Sequence, residues 1–319
     1  MGAAVITSAM GGLTPLSWAA KGGYEAVVKM LLKRKDVNPN IADRNGETPL
    51  LISTGGRHAG VVKLLLDRND VDPNIADRFG QTPLTIATLG GYEGVVKLLL
   101  ERNDVNPNVV DGYSKSPLHI AAFKGDVGIV KLLLERNDVN PNIAQYGETP
   151  LFIAAYEGHE GVVKGLLECN KVNPNTTNSS GRTPLFIAAS KGHEGVVKVL
   201  LERNDVNPNI GDWYNERTLR RGAYEWLKRR NVNPNTPCGS IVTPLTVSAS
   251  NGHEAVVKML LQRADVNSDI RDFYGKTALS RAQMYGHHSI VKLLSEHTNF
   301  IPQFAGDEFT ALPHKARPI

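Results

Sequence analysis

Three histidines recur at one place in the periodicity of this chain, His159, His193 and His253, and the pair His287-His288 follows them. Imidazole nitrogens are common zinc ligands, so histidines at a fixed step raise a metal reading. Geometry argues against it. Each of the three falls in the turn between two helices of a different unit. Stacked helices lie about 8–10 Å apart, whereas zinc–nitrogen bonds are about 2 Å. His287-His288 has no Cys or carboxylate at ligand spacing. The two cysteines, Cys169 and Cys238, match no nucleophile or metal signature and read as free thiols in a reducing compartment. No glycine-rich phosphate loop and no G-x-S-x-G elbow occurs. The expectation is a protein without metal, cofactor or enzymatic activity.

Composition narrows the class further. The 319 residues are 21% charged and 6% aromatic, with a formal net charge of +4. Apolar runs such as "VVKLLL" are too short to cross a bilayer, and the N-terminus lacks the basic and apolar regions of a secretory signal. The myristoylation pattern fails at Ile6. Cytoplasm, or nucleus, is the expected location. Without a signal, the sequons at Asn175 and Asn178 read as chance. A nucleic-acid reading rests on the pI of about 8.9 and on Arg217, Arg220, Arg221, Lys228, Arg229 and Arg230. Solvated charge is the preferred account of that cluster.

What positions all of these residues is a repeat. A Thr-Pro-Leu signature starts at Thr14, Thr48, Thr82, Ser116, Thr149, Thr183, Thr218, Thr243 and Thr277, with steps of 34, 34, 34, 33, 34, 35, 25 and 34. Fixed spacing at this period points to stacked supersecondary units. In the third unit Thr82 is a good N-cap and Pro83 suits the first helical position. Leu84, Ile86 and Ala87 give the first helix a buried side, and Gly90-Gly91 closes it through the left-handed region. Glu93 opens a second helix, whose Val95, Val96, Leu98, Leu99 and Leu100 suit burial by neighbours on both sides. The closing "ERNDVNPN" reads as a terminator. Arg102 faces the negative helix end, Asn103 takes the left-handed cap, Val105 anchors, Asn106 and Asn108 bond to local backbone, and Pro107 forbids more helix.

At these residues the chain resembles the ankyrin-repeat family. The core "TPLHIAA" appears as "SPLHIAA" at 116–122, and "GHEGVVK" follows in units five and six. The style, with "NPN" before each turn, is similar to long fungal ankyrin arrays. The resemblance implies an all-α solenoid of helix-turn-helix units with projecting β-hairpin-like loops. The family histidine survives only as His119; Ser17, Leu51, Thr85, Phe152, Phe186 and Thr246 hold its place elsewhere, so its hydrogen bonds must be replaced or absent.

The expected organisation is a lead-in over 1–13, an array of about nine units over 14–298, and a tail over 299–319. The seventh unit, at 210–235, is short by nine residues, about one helix, and should weaken the join between units six and eight. A buried apolar place, Trp18 in the first unit, becomes Arg281 in the last, as a solvent-facing cap requires. Because almost nothing polar precedes Trp18, the chain reads as a piece of a longer one.

Overlaying the units reveals the candidate site. The hairpin tips and the exposed side of the first helices form a concave binding face in the family. There, units three to five pair Phe79 with Leu89, Tyr113 with Phe123, and Tyr146 with Tyr156. Clustered exposed rings mark protein interfaces, although rings packed on their neighbours could instead hold the hairpin row together. The expected function is recognition of another protein by a monomeric, non-catalytic scaffold. The alternative is regulation or sensing within a larger NTPase receptor-like protein, the array folding back on an upstream domain; nucleic-acid binding ranks third.

Overall fold

The computed structural model describes residues 12–213, 241–272 and 274–300. Among the described residues sixteen helices pair into eight stacked units: α1 (Pro15–Lys21) with α2 (Glu25–Leu32), α3 (Pro49–Gly55) with α4 (Ala59–Leu66), α5 (Pro83–Gly90) with α6 (Glu93–Leu100), α7 (Pro117–Lys124) with α8 (Val127–Leu134), α9 (Pro150–Glu157) with α10 (Glu160–Leu167), α11 (Pro184–Lys191) with α12 (Glu194–Leu201), α13 (Pro244–Asn251) with α14 (Glu254–Leu261), and α15 (Ala278–Met284) with α16 (His288–Phe300). First helices stack on first helices and second on second, which is the all-α solenoid that the resemblance implies.

Each first helix starts with the same bond. The Thr82 hydroxyl accepts from Thr85 N–H at 3.3 Å, and Thr14, Thr48, Ser116, Thr149, Thr183, Thr243 and Thr277 cap their helices in the same way. Gly91 (φ 69°), with Gly125, Gly158, Gly192 and Gly252, ends the helix in the left-handed region, as read from sequence. The core runs unbroken between units as a band of Leu and Val: Leu84, Val95, Val96 and Leu99 are almost fully buried, and so are their counterparts Leu118, Ile129, Val130 and Leu133. Ile86 is only half-buried, whereas Ile120 and Ile187 at the same place in their units are buried. Trp18, at the same place in the first unit, is 50% exposed with the Lys21 ammonium above its ring, so the expected burial of this place holds at Ile120 and Ile187 but not at Trp18. At the last unit, Arg281 pairs with the buried Asp272 carboxylate and lies over Tyr274.

The terminator works differently from its sequence reading. Asn103 does not enter the left-handed region, because the second helix closes without it: Glu101 caps α6 in the right-handed conformation. Arg102 reaches backward. It donates to Leu66 O at 3.2 Å and Arg68 O at 3.0 Å, capping the second helix of the preceding unit, while pairing with Asp104. Arg136 repeats this on Leu100 O, Arg102 O and Val105 O, at 3.3, 2.8 and 3.2 Å. The fifth unit has Cys169 at the place of Arg102 and Arg136; there Lys171 donates to Asn137 O instead. The asparagines divide the work. Asn106 bonds locally, to Asn108 N–H, but Asn108 bridges to the next unit: its side chain donates to Asp138 O at 2.7 Å and accepts from Asn140 N–H at 2.8 Å. Asn40, Asn74, Asn142, Asn175 and Asn209 do the same.

The join at the shortened seventh unit is another departure. That unit's residues from 214 to 240 lie outside the described residues, as do the arginine cluster, Cys238, positions 1–11 and the tail from 301. The flanking units nevertheless meet as consecutive units do. Helix α13 packs on α11 and α14 on α12. Asn209 bridges to Asp265 O and Asn267 N–H, Arg263 caps Leu201 O and Arg203 O, and His253 reaches Ser190 O. The expected weak join is therefore a full one. Trp213 pairs with Ile241 and Asp212 with Val242 in a short antiparallel ladder that brings both edges of the interval together.

Two outcomes follow from these bonds. Replacing residues 214–240 by an Asn-Gly turn, which suits an antiparallel pair, should leave the thermal midpoint within a few degrees of wild type; a fall of ten degrees would show that the interval itself supports the stack. Arg136→Ala should lower the unfolding free energy by about 2 kcal/mol in urea titration, because it strips charged hydrogen bonds from three carbonyls; an unchanged midpoint would make the clamp decorative.

Candidate protein-binding face

The hairpin tips form a row bonded unit to unit. Arg78 N–H donates to Asn45 O at 2.9 Å, Gly112 N–H to Phe79 O at 2.7 Å and Ser179 N–H to Tyr146 O at 2.9 Å. Most tips share one design, an aspartate whose carboxylate closes the turn. Asp77 accepts from Phe79 and Gln81 N–H, and Asp111 from Tyr113 and Lys115 N–H. The fifth tip is one residue shorter, which accounts for the 33-residue step. Gln145 bridges Glu148 across Tyr146 (φ 52°) and Gly147 (φ 79°), the two positive φ values of a tight hairpin turn. A tyrosine held there is uncommon.

These tips and the first helices share one side of the stack, the inner face. Toward the N-terminal end it holds an open groove of about 680 Å³ walled by Asp43, Arg44 and Glu47 from a tip, with Lys21, Ile52 and Ile86 from first helices. In the middle, Lys115, Phe123, Gln145 and Ile153 line a cleft of about 30 Å³. All six residues singled out from sequence lie on this face and are exposed: Phe79 50%, Leu89 47%, Tyr113 66%, Phe123 51%, Tyr146 79% and Tyr156 41%.

What covers three of the rings is a cation. Arg78 lies 4.7 Å from the centre of Phe79, Lys115 5.2 Å from Phe123, and Lys191, from the following unit, 3.8 Å from Tyr156. Sequence reasoning overlooked these cations. For Arg78 and Lys115 the signal was their place in the tip, and for Lys191 its place one unit ahead of Tyr156.

The histidines are accounted for by backbone. His159 Nε2 lies 3.0 Å from Phe123 O, His193 3.1 Å from Tyr156 O, and His287 3.0 Å from Ser250 O. Each ring lies against a left-handed glycine of the preceding turn; a Cβ on Gly125 would come within 2.7 Å of His159. Among the described residues no cluster of three or more His, Cys, Asp or Glu could hold a metal ion. His119 is buried, with Nδ1 2.9 Å from Ser116 Oγ and Nε2 3.0 Å from Glu148 O of the next unit. Where Ser17, Thr85 and Thr246 replace the family histidine, a hydroxyl supplies the first bond, with Thr82 and Thr85 at 3.0 Å and Thr243 and Thr246 at 3.1 Å; Leu51, Phe152 and Phe186 have no group to make it. Asn175, the first sequon, spends its amide on Asp205 O.

The chain matches the family model for ankyrin repeats (three copies) over residues 4–77, 56–145, 118–212 and 218–303, and it belongs to that family. Ankyrin repeats are generally protein–protein interaction modules. The chain is similar to the crystal structure of EF0377, an ankyrin repeat protein, with 28% identity and a TM-score of 0.56 over 60% of this chain and 98% of that one. An ankyrin repeat domain (ABAYE2397) from Acinetobacter baumannii AYE aligns at 27% identity and a TM-score of 0.55, over 59% of this chain and 96% of that one. A stretch of 57 residues, 18% of the chain, is 44% identical to the E3 ubiquitin-protein ligase XBAT33 of Arabidopsis thaliana and spans 11% of that ligase. No described helix is long and apolar enough to cross a membrane.

Burial, opposed by the Glu148 carbonyl, pushes the His119 imidazole below its usual range. The unfolded chain then takes up a proton near pH 6.5 while the folded one does not. Stability should fall as pH drops below about 6.5 and level off once the lowered folded value is passed. His119→Thr, copying the Thr82–Thr85 pair, should remove that part of the pH dependence. Denaturant titrations of both proteins at pH 7.5 and 5.5 test this; parallel losses would mean that His119 is not the titrating group.

Proposed function

We propose that this chain is a non-catalytic recognition scaffold whose inner face, across units three to five, binds another protein. The observation that carries the reading is the row of six exposed apolar residues, Phe79, Leu89, Tyr113, Phe123, Tyr146 and Tyr156, contributed by three adjacent units. Lone exposed apolar residues are ordinary on a protein surface, but a contiguous apolar row supports an interface. The site stands on capped helices and bonded tips, so few side chains and no backbone need ordering when a partner arrives. Residues under the row belong to the unit core, which separates binding from folding: Leu118 and Ala121 stay buried whatever happens to Tyr113.

Replacing Tyr113, Phe123 and Tyr156 together by alanine should abolish partner capture, since a single hot-spot truncation commonly costs about 2 kcal/mol or more, roughly thirtyfold in affinity. Pull-down with wild type, the triple variant and a Lys131→Ala, Glu135→Ala control on the exposed outer helix measures it. Equal capture by all three proteins moves the site elsewhere. A triple variant that loses several degrees of thermal stability instead assigns the rings to holding the hairpin row.

A further inference from the structure

We infer that the segment recognised by this face is an acidic peptide carrying apolar side chains, which deepens and rests on the inner-face reading above. The argument is one of charge. The arginines that end the second helices are neutralised locally: Arg34, Arg68, Arg102, Arg136, Arg203 and Arg263 each pair with the aspartate two residues on. Those aspartates are held below the ordinary carboxylate range by the guanidinium beside them. This large set of charges contributes nothing net to the surface.

The inner face differs. Arg78, Lys115 and Lys191 make no ion pair among the described residues; they lie over Phe79, Phe123 and Tyr156. Of the acidic side chains on this face, Glu157 is exposed, Glu148 and Asp77 are half-buried and Asp111 is buried, the two aspartates being spent on tip backbone amides, whereas Arg78 and Lys191 are exposed. Surplus positive charge is thus displayed beside the apolar row, within a Debye length of it. An incoming carboxylate meets an unpaired cation at each of units three to five, the cation in the last case reaching in from unit six, and its apolar neighbours meet the ring edges and Leu89. Complementary charge of this kind sets partner choice and encounter rate. A single-stranded nucleic acid would also be attracted by the cations, but base stacking needs open ring faces, and three of the rings already carry a cation over the face.

Selection of a random 12-residue peptide display library on the full chain tests the inference through the composition of the enriched pool. The expected pool is rich in Asp and Glu beside Phe, Leu, Tyr or Trp. A synthetic peptide from it should bind about tenfold more weakly to an Arg78→Gln, Lys115→Gln, Lys191→Gln variant and should weaken as salt rises from 50 to 300 mM. Circular dichroism of the variant confirms its fold, and Arg34→Gln serves as a charge control that should leave binding unchanged. A neutral or basic pool whose binding is lost in the Tyr113, Phe123 and Tyr156 alanine variant overturns the acidic inference and leaves the face reading intact. An enriched pool that binds that alanine variant as well as wild type overturns the face reading itself. Binding of oligo(dT) more tightly than any selected peptide, lost in the alanine variant, also overturns the acidic inference in favour of a nucleic-acid strand.

Discussion

Among the described residues, unit after unit leaves backbone carbonyls and amides at its edge that the adjoining unit satisfies. That constraint governs the molecule. Arg102 caps a helix that belongs to the unit before it, Asn108 reaches an amide and a carbonyl in the unit after it, and His159 turns back to Phe123 O. A single helix pair of this size has too little core to stand alone, so apolar stacking between units provides the mass of the stabilisation. The polar bonds fix its register. Leucine and valine bands would tolerate small slips; a guanidinium on three named carbonyls does not.

Much of this was legible in the sequence. Thr82-Pro83 as the start of a helix and Gly91 as its end follow from local chemistry, and local chemistry does not depend on the neighbours. The spacing pointed to stacked repeats, and the family followed from the resemblance of motifs such as "SPLHIAA" at 116–122. What escaped was whatever depends on a residue some thirty positions away. The asparagine before the turn is a sound local turn residue, and nothing in its own neighbourhood says that its side chain serves the next unit. Arg102 beside a helix end invites the inference that it serves its own helix, whereas its length lets it serve the previous one. Trp18 looks like core by residue type, and Ile120 and Ile187 at its place are buried, but the larger indole stays half outside.

The site shows the same division. The six apolar residues were found by overlaying units, because exposure at a variable place is visible in a single sequence once the repeat is aligned. Of the cations over the rings, Lys191 was hidden because it belongs to a different unit from the Tyr156 it covers, whereas Arg78 and Lys115 stood in the tips of the same units as their rings. The shortened seventh unit misled for a related reason. Counting missing residues suggested a damaged joint, although the joint is made by Asn209, Arg263 and His253, which lie on either side of the interval and are intact.

That joint also bears on how such a chain can change. Because unit eight docks on unit six with the same arginine, asparagine and histidine bonds that join ordinary neighbours, the coupling surfaces are interchangeable parts. A genetic duplication or loss of a whole 34-residue period would present the same donors to the same acceptors, and the array would close up again. The tip and first-helix residues travel with each period, so a change in copy number rewrites the order of rings and charges along the inner face while leaving the mechanics of stacking untouched. The near-identical "ERNDVNPN" segments are what make the molecule editable by the unit.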